Sequence, residues 1–186
     1  SISQISYVLL GVFLMTPVGL LGGLLQLLFH ALAKIGVFQS AGSIIFLTET
    51  ETIDGFPGLG RRIPVTMGCF AALALSLVGI PPFGGFFSKW YLMLGAYQGG
   101  QYFYIVILVI SSLLNAVYFF RILEQMFVQH EASLTEINRH EGKLGLPPEM
   151  AIPILCAGIG ILVLGFYSVD IVDDILKSGL PEVFLR

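Results

Sequence analysis

Charge is scarce in this chain. Only 11% of its 186 residues are Asp, Glu, Lys or Arg, against about 25% in soluble domains. Together with 56% hydrophobic residues and a mean hydropathy of +0.89, that deficit excludes an ordinary water-soluble domain. It fits a polytopic membrane protein, in which each span takes roughly 20 mostly apolar residues. The net charge of −3 argues against nucleic acid as a partner. Cysteine is rare as well. Cys69 and Cys156 sit in separate apolar runs and read as packing residues rather than a disulfide or metal pair. The sequence has no Walker loop, no C-x-x-C and no nucleophile triad, and a single histidine in an apolar run cannot form a haem pair. It therefore calls for no cofactor, no metal and no redox or hydrolytic chemistry of its own. A basic region before the first apolar run is also missing, which argues against a cleavable signal peptide. The chain opens at Ser1 without Met, which suggests a processed terminus or the remainder of a longer polypeptide.

What is present is a series of apolar segments. They cover residues 4–21 (with Pro17 near the end), 24–47, 65–80, 83–98, 102–127 and 150–167. Each is too long for a barrel strand and none alternates with period two, so the expected fold class is all-α, with about six transmembrane helices. Residues 48–64 and 128–148 read as polar connections, and an acidic tail carries Asp170, Asp173 and Asp174. The third and fourth segments are individually short. They form either one discontinuous helix broken around 79–85 or two helices meeting at Pro81–Pro82. Orientation is left open, because Arg61 and Arg62 on one side balance Arg139 and Lys143 on the other.

Carboxylates are missing from the interior of every expected span; Glu124 and Glu149 lie at span ends. His30, Lys34 and Lys89 are the ionisable residues inside. A charge at the bilayer centre costs roughly 2.5–3.5 kcal/mol on insertion scales, so each marks a candidate site. Gln26, His30 and Lys34 recur at four-residue spacing and share one helix face. Ala33, Val37, Ser40 and Ala41 extend that polar-and-small line, and Gln26 to Ser40 spans about 21 Å. A packing seam, with Lys34 reaching toward one surface, is the plainer reading of the same pattern.

Around Lys89 the pattern differs. Pro81 and Pro82 lack amide hydrogens, so the carbonyls of Leu77 and Val78 lose their helical donors. Such a break in lipid needs protein or water to satisfy the freed groups. Lys89 follows in about the second turn of the restarted helix, where the helix dipole disfavours a cation. Desolvation also favours the neutral amine, which makes Lys89 a group able to exchange protons. The plainer reading is a helical hairpin with Lys89 at the surface. Arg121 and Glu124, at i and i+3, read as an interfacial pair or headgroup anchor, and Trp90 as a packing or belt residue.

Three blocks together resemble a known family. They are "SISQISYVLLG" (1–11), "HALAKIGVFQSAGSI" (30–44) and "GIPPFGGFFSKWYL" (79–92). In order and spacing they are similar to the antiporter-like subunits of respiratory complex I, of membrane-bound hydrogenases and related ferredoxin-linked complexes, and of multisubunit sodium/proton antiporters. The run from Tyr118 to Arg121 fits the same pattern. Members of that family carry two inverted five-helix repeats, each with a broken helix and buried lysines on a hydrated polar axis. This chain resembles the second repeat plus a last helix, with the first repeat absent.

The resemblance implies several things. Residues 1–127 would be the repeat, 128–148 a connecting segment, and 149–186 the final helix and tail. Lys34 would be the central lysine, His30 its companion and Lys89 the broken-helix lysine, with Gln26, Ser40, Pro81 and Pro82 in support. The chain would be a non-redox subunit of a cation-translocating NADH or ferredoxin oxidoreductase, a hydrogenase-type complex or an antiporter. It would sit in a prokaryotic cell membrane or an energy-transducing organelle membrane. Its partners would be lipid and other membrane subunits, one of them supplying the missing repeat. The lack of an intramembrane carboxylate favours protons over sodium, since hard cations prefer oxygen ligands, while carbonyls freed at Pro81–Pro82 and a partner chain leave sodium/proton antiport as the alternative. The competing expectation is a structural subunit whose buried lysines pair with partner chains and conduct nothing. A stand-alone permease is disfavoured by the single repeat.

Overall fold

The computed structural model describes residues 2–48, 58, 60, 63–128 and 146–178. These form seven helices: α1 (Ile2–Phe13), α2 (Pro17–Thr48), α3 (Pro64–Val78), α4 (Gly84–Gln98), α5 (Tyr102–Phe127), α6 (Pro148–Phe166) and α7 (Ser168–Ser178). No strand occurs among the described residues. The expected positions of Arg61, Arg62, Arg139 and Lys143 lie outside the described residues, as does most of the 128–148 connection.

The first two apolar segments divide differently from the expectation. The chain leaves α1 at Phe13 and turns through Met15 at a φ of 52°. Thr16 then caps the next helix, its Oγ1 accepting from the Gly19 amide at 3.2 Å. Pro17 therefore starts α2 rather than closing α1. Its missing N–H costs nothing in a helix's first turn. As a result α2 gains a full extra turn and more, and its 32 residues extend about 48 Å. Among the described residues three helices are long and apolar enough to cross a membrane alone: Pro17–Leu47 within α2, Tyr102–Phe127 and Pro148–Phe166. The helices Ile2–Phe13 and Pro64–Val78 are apolar but shorter. The region read as an acidic tail begins with a helix, α7, whose Val172 is buried in the core.

The helix α2 is the axis of the molecule. It packs against α1, α3, α4 and α6, most extensively against α4. One core joins Leu21, Leu25, Phe29 and Ala33 of α2 to Leu73 of α3, Ala157 and Ile161 of α6, and Val172. A second joins Ile44 to Met67, Phe70 and Ala74 of α3 and to Ile122 and Met126 of α5. A third joins Tyr7 and Leu14 to Leu92 and Ala96 of α4 and Leu108 of α5. By contrast, most of α5 faces outward, with Phe103, Leu114 and Val117 about two-thirds exposed or more. Both cysteines are free; Cys69 lies directly against Gly158 on α6, and Cys156 is exposed. Arg121, Glu124 and Trp90 are also exposed, and Trp90 stacks on Phe86 with ring centroids 6.1 Å apart.

Between α3 and α4 lies a true break. Gly79 ends α3 in the left-handed conformation, φ 91°, which glycine adopts without a Cβ penalty. The amides of Gly79 and Ile80 both donate to Leu75 O. The α4 helix restarts at Gly84, and its Gly85 amide donates to Ser76 Oγ at 3.1 Å. So a side chain of the first half satisfies an orphan donor of the second. Contact between α3 and α4 is sparse compared with that of α2 and α4, so the two are not a packed hairpin.

Candidate functional site

Lys89 is held at the break. Its side chain is 4% exposed. Its Nζ donates to Val78 O at 2.7 Å and to Leu77 O at 3.0 Å. These are the two carbonyls that Pro81 and Pro82 deprive of helical donors. The ammonium also lies over the Tyr7 ring, 5.3 Å from its centroid, within range of cation–π attraction. Tyr7 OH in turn donates to Ser111 Oγ on α5. Gly79 makes this fit possible, since a Cβ there would stand 2.9 Å from Lys89 Cδ. Pro81 and Pro82 themselves are exposed.

A chain of neutral hydrogen bonds runs beside the lysine. Ser88 Oγ donates to Gln26 Oε1, Gln26 Nε2 donates to Gln4 Oε1, and Gln4 Nε2 donates to Leu77 O at 3.3 Å. Leu77 O thus accepts from Gln4 and from Lys89 together. The chain ties α1, α2, α3 and α4 to one another at the break.

Gln4 and Leu77 also line a cavity of about 390 Å³. It runs among α1, α2, α3 and α5, and its lining includes Gln4, His30, Lys34, Leu77, Asn115 and Tyr118. Among the described residues no carboxylate lines it. His30 Nδ1 and Asn115 Nδ2 are buried without a hydrogen-bond partner. Buried polar atoms are normally satisfied, so two such atoms beside a roomy cavity mark sites for water. Lys34 is half-buried and stands over Phe38, 5.7 Å from the ring centroid.

The structure therefore brings His30 and Lys34 to one cavity and leaves Lys89 outside its lining, bonded to the Leu77 carbonyl. Gln26 joins the hydrogen-bonded chain rather than the cavity. Ser40 does neither. It is fully buried and donates to Gly36 O within its own helix at 2.8 Å. The four-residue line on α2 is thus split by its neighbours, with Val37 and Ala41 on the cavity and Ala33 in the core. Sequence reasoning passed over Gln4, Tyr7, Ser88 and Asn115. Gln4 and Tyr7, three apart on α1 and both buried, had one available signal: a polar residue one turn before an aromatic within a short apolar helix.

Residues 1–115 match the NADH:quinone oxidoreductase/Mrp antiporter transmembrane family. The chain is 40% identical to NADH-quinone oxidoreductase subunit N of Desulforudis audaxviator, over 97% of this chain and 38% of that protein. It is 30% identical to F(420)H(2) dehydrogenase subunit N of Methanosarcina mazei, over 98% of this chain and 38% of that protein. A chain in the structure of the Mrp complex from Dietzia sp. DQ12-45-1b superposes with a TM-score of 0.78 at 27% identity, covering 92% of this chain and 39% of the other. The chain thus spans about 38% of the length of these curated relatives.

Proposed function

Since this chain belongs to the NADH:quinone oxidoreductase/Mrp antiporter transmembrane family, we propose that it forms part of a proton path in a larger membrane complex. In this reading residues 1–127 are the conducting repeat, 128–148 connect it, and 149–186 close its flank. Protons move between Lys34 and Lys89 through water in the cavity, with His30 as an intermediate. The lysines alternate between charged and neutral, biased by charges on neighbouring subunits. Partner membrane subunits supply the driving reaction, and one of them, or a further part of the same polypeptide, supplies the companion repeat. The observation that carries the reading is the cavity of about 390 Å³ lined by His30 and Lys34 and walled by Leu77, whose carbonyl accepts from Lys89.

The lack of a carboxylate among the described lining residues supports protons as the transported ion, since hard cations favour oxygen ligands. The competing reading, a structural subunit, draws on the direct bonding of Lys89 to the break. It predicts loss of assembly, not loss of transport, when Lys89 is removed. Lys34→Ala and Lys89→Ala, made singly in the complete complex in membrane vesicles, separate the two. Pumping is expected to fall at least about tenfold in assembled complex, in keeping with loss of a positioned proton-transfer group. Undiminished pumping in both variants refutes the proton path.

A further inference from the structure

We propose that Gln4 is a movable amide plug that closes the cavity against Lys89 and opens it when its side chain swings aside. The inference rests on the proton-path reading above. Lys89 is not part of the cavity wall, whereas Gln4 and Leu77 are. The Leu77 carbonyl accepts from the Lys89 ammonium and also from the Gln4 amide, which is 4% exposed. That amide is occupied at both ends. Its oxygen accepts from Gln26 and its nitrogen donates to Leu77 O. The Gln26 oxygen, for its part, is taken by Ser88. Lys89 donates to the Leu77 and Val78 carbonyls and to neither glutamine, and a neutral amide does not take up a proton as an imidazole or amine does. In this arrangement the path is closed.

The way to open it is also visible. The Gln4–Leu77 contact, at 3.3 Å, is longer than either Lys89 bond to the break, at 3.0 and 2.7 Å. Gln4 borders empty volume on the cavity side, and a water needs only about 30 Å³ of liquid volume. A swing of the side chain into that space frees Leu77 O to accept from a cavity water. The water then stands next to the Lys89 ammonium and can receive its proton. Tyr7, one turn along α1, keeps its ring under Lys89, so the lysine stays in place while the plug moves.

Two substitutions give opposite signatures. Gln4→Ala removes the plug, and the cavity extends to the break. Gln4→Leu keeps the volume but cannot exchange hydrogen bonds, so the path stays shut. The complete complex is reconstituted in phosphatidylcholine–phosphatidylglycerol liposomes, and the lumen carries a pH-sensitive dye. Passive proton leak under a potassium diffusion potential and pumping are both scored per assembled complex. Gln4→Ala is expected to raise the leak about threefold or more, and Gln4→Leu to abolish pumping at parental leak, as for a gate that a side chain closes. Parental leak in Gln4→Ala, or parental pumping in Gln4→Leu, overturns the plug. Lys34→Ala in the same liposomes keeps the two ideas apart. If it stops pumping while the Gln4 variants behave as parental, the plug fails and the proton path stands. If Lys34→Ala and Lys89→Ala both pump normally, the path itself fails.

Discussion

At Lys89 the positive charge is met by neutral groups: two carbonyls from the helix break and the face of Tyr7. Such a ring contact is worth about 0.5–1 kcal/mol at exposed sites and about 2 kcal/mol when desolvated, a factor of about 2–30 in an equilibrium across that range. Tyr7→Leu is therefore expected to slow pumping by about that factor, whereas Tyr7→Phe, which keeps the ring and loses only the bond to Ser111, retains most of it. Equal rates in the two variants would show that the ring does not matter. Across the cavity, Asn115 offers an unpartnered amide nitrogen. Asn115→Leu should cut pumping by about tenfold while Asn115→Ser, which can still bond water, keeps more of it. Vesicle assays of both variants decide this. Lys34, His30 and Lys89 stand out as candidates in the sequence, because ionisable groups in apolar helices are rare. Asn115 does not. A single amide in a long apolar helix is equally a packing residue until a neighbour places it on a cavity.

Among the elements, the break between α3 and α4 matters most. Its two prolines and its glycines announced a discontinuity, and Ile63, Gly79 and Phe83 bound the halves as caps. At Gly85 the constraint is steric, because a Cβ there would run into the backbone carbonyl of Ser76. Gly85→Ala must push the two halves apart and is expected to cost about 1–3 kcal/mol through overpacking. Lower thermal stability of the assembled complex, read by native gel after heating, checks it; an unchanged midpoint would contradict the close approach. The entry into α2 is not legible in the sequence, since a proline such as Pro17 follows one helix as readily as it begins the next until the Thr16 cap is seen. The helix α7 escaped notice because its short amphipathic run looked like an acidic tail.

For the whole molecule, the arrangement puts α2 at the centre and leaves α5 on the outside. A membrane-restricted carbene reagent is expected to label Phe103, Leu114 and Val117 and to spare Phe29 and Ala33, which are buried. Strong labelling of the latter pair would rule out this packing. By itself the sequence determined the solvent, the helical class, the position of the break and the three ionisable residues inside. Those follow from composition and local stereochemistry, which a single chain displays directly. Only the tertiary structure decided which polar groups share a cavity and which share a hydrogen-bonded chain. Gln26 and His30 lie one turn apart on α2, yet one bonds Gln4 and Ser88 while the other faces the cavity. The physical reason is that helical spacing fixes a face, whereas the groups a face meets depend on helices distant in sequence.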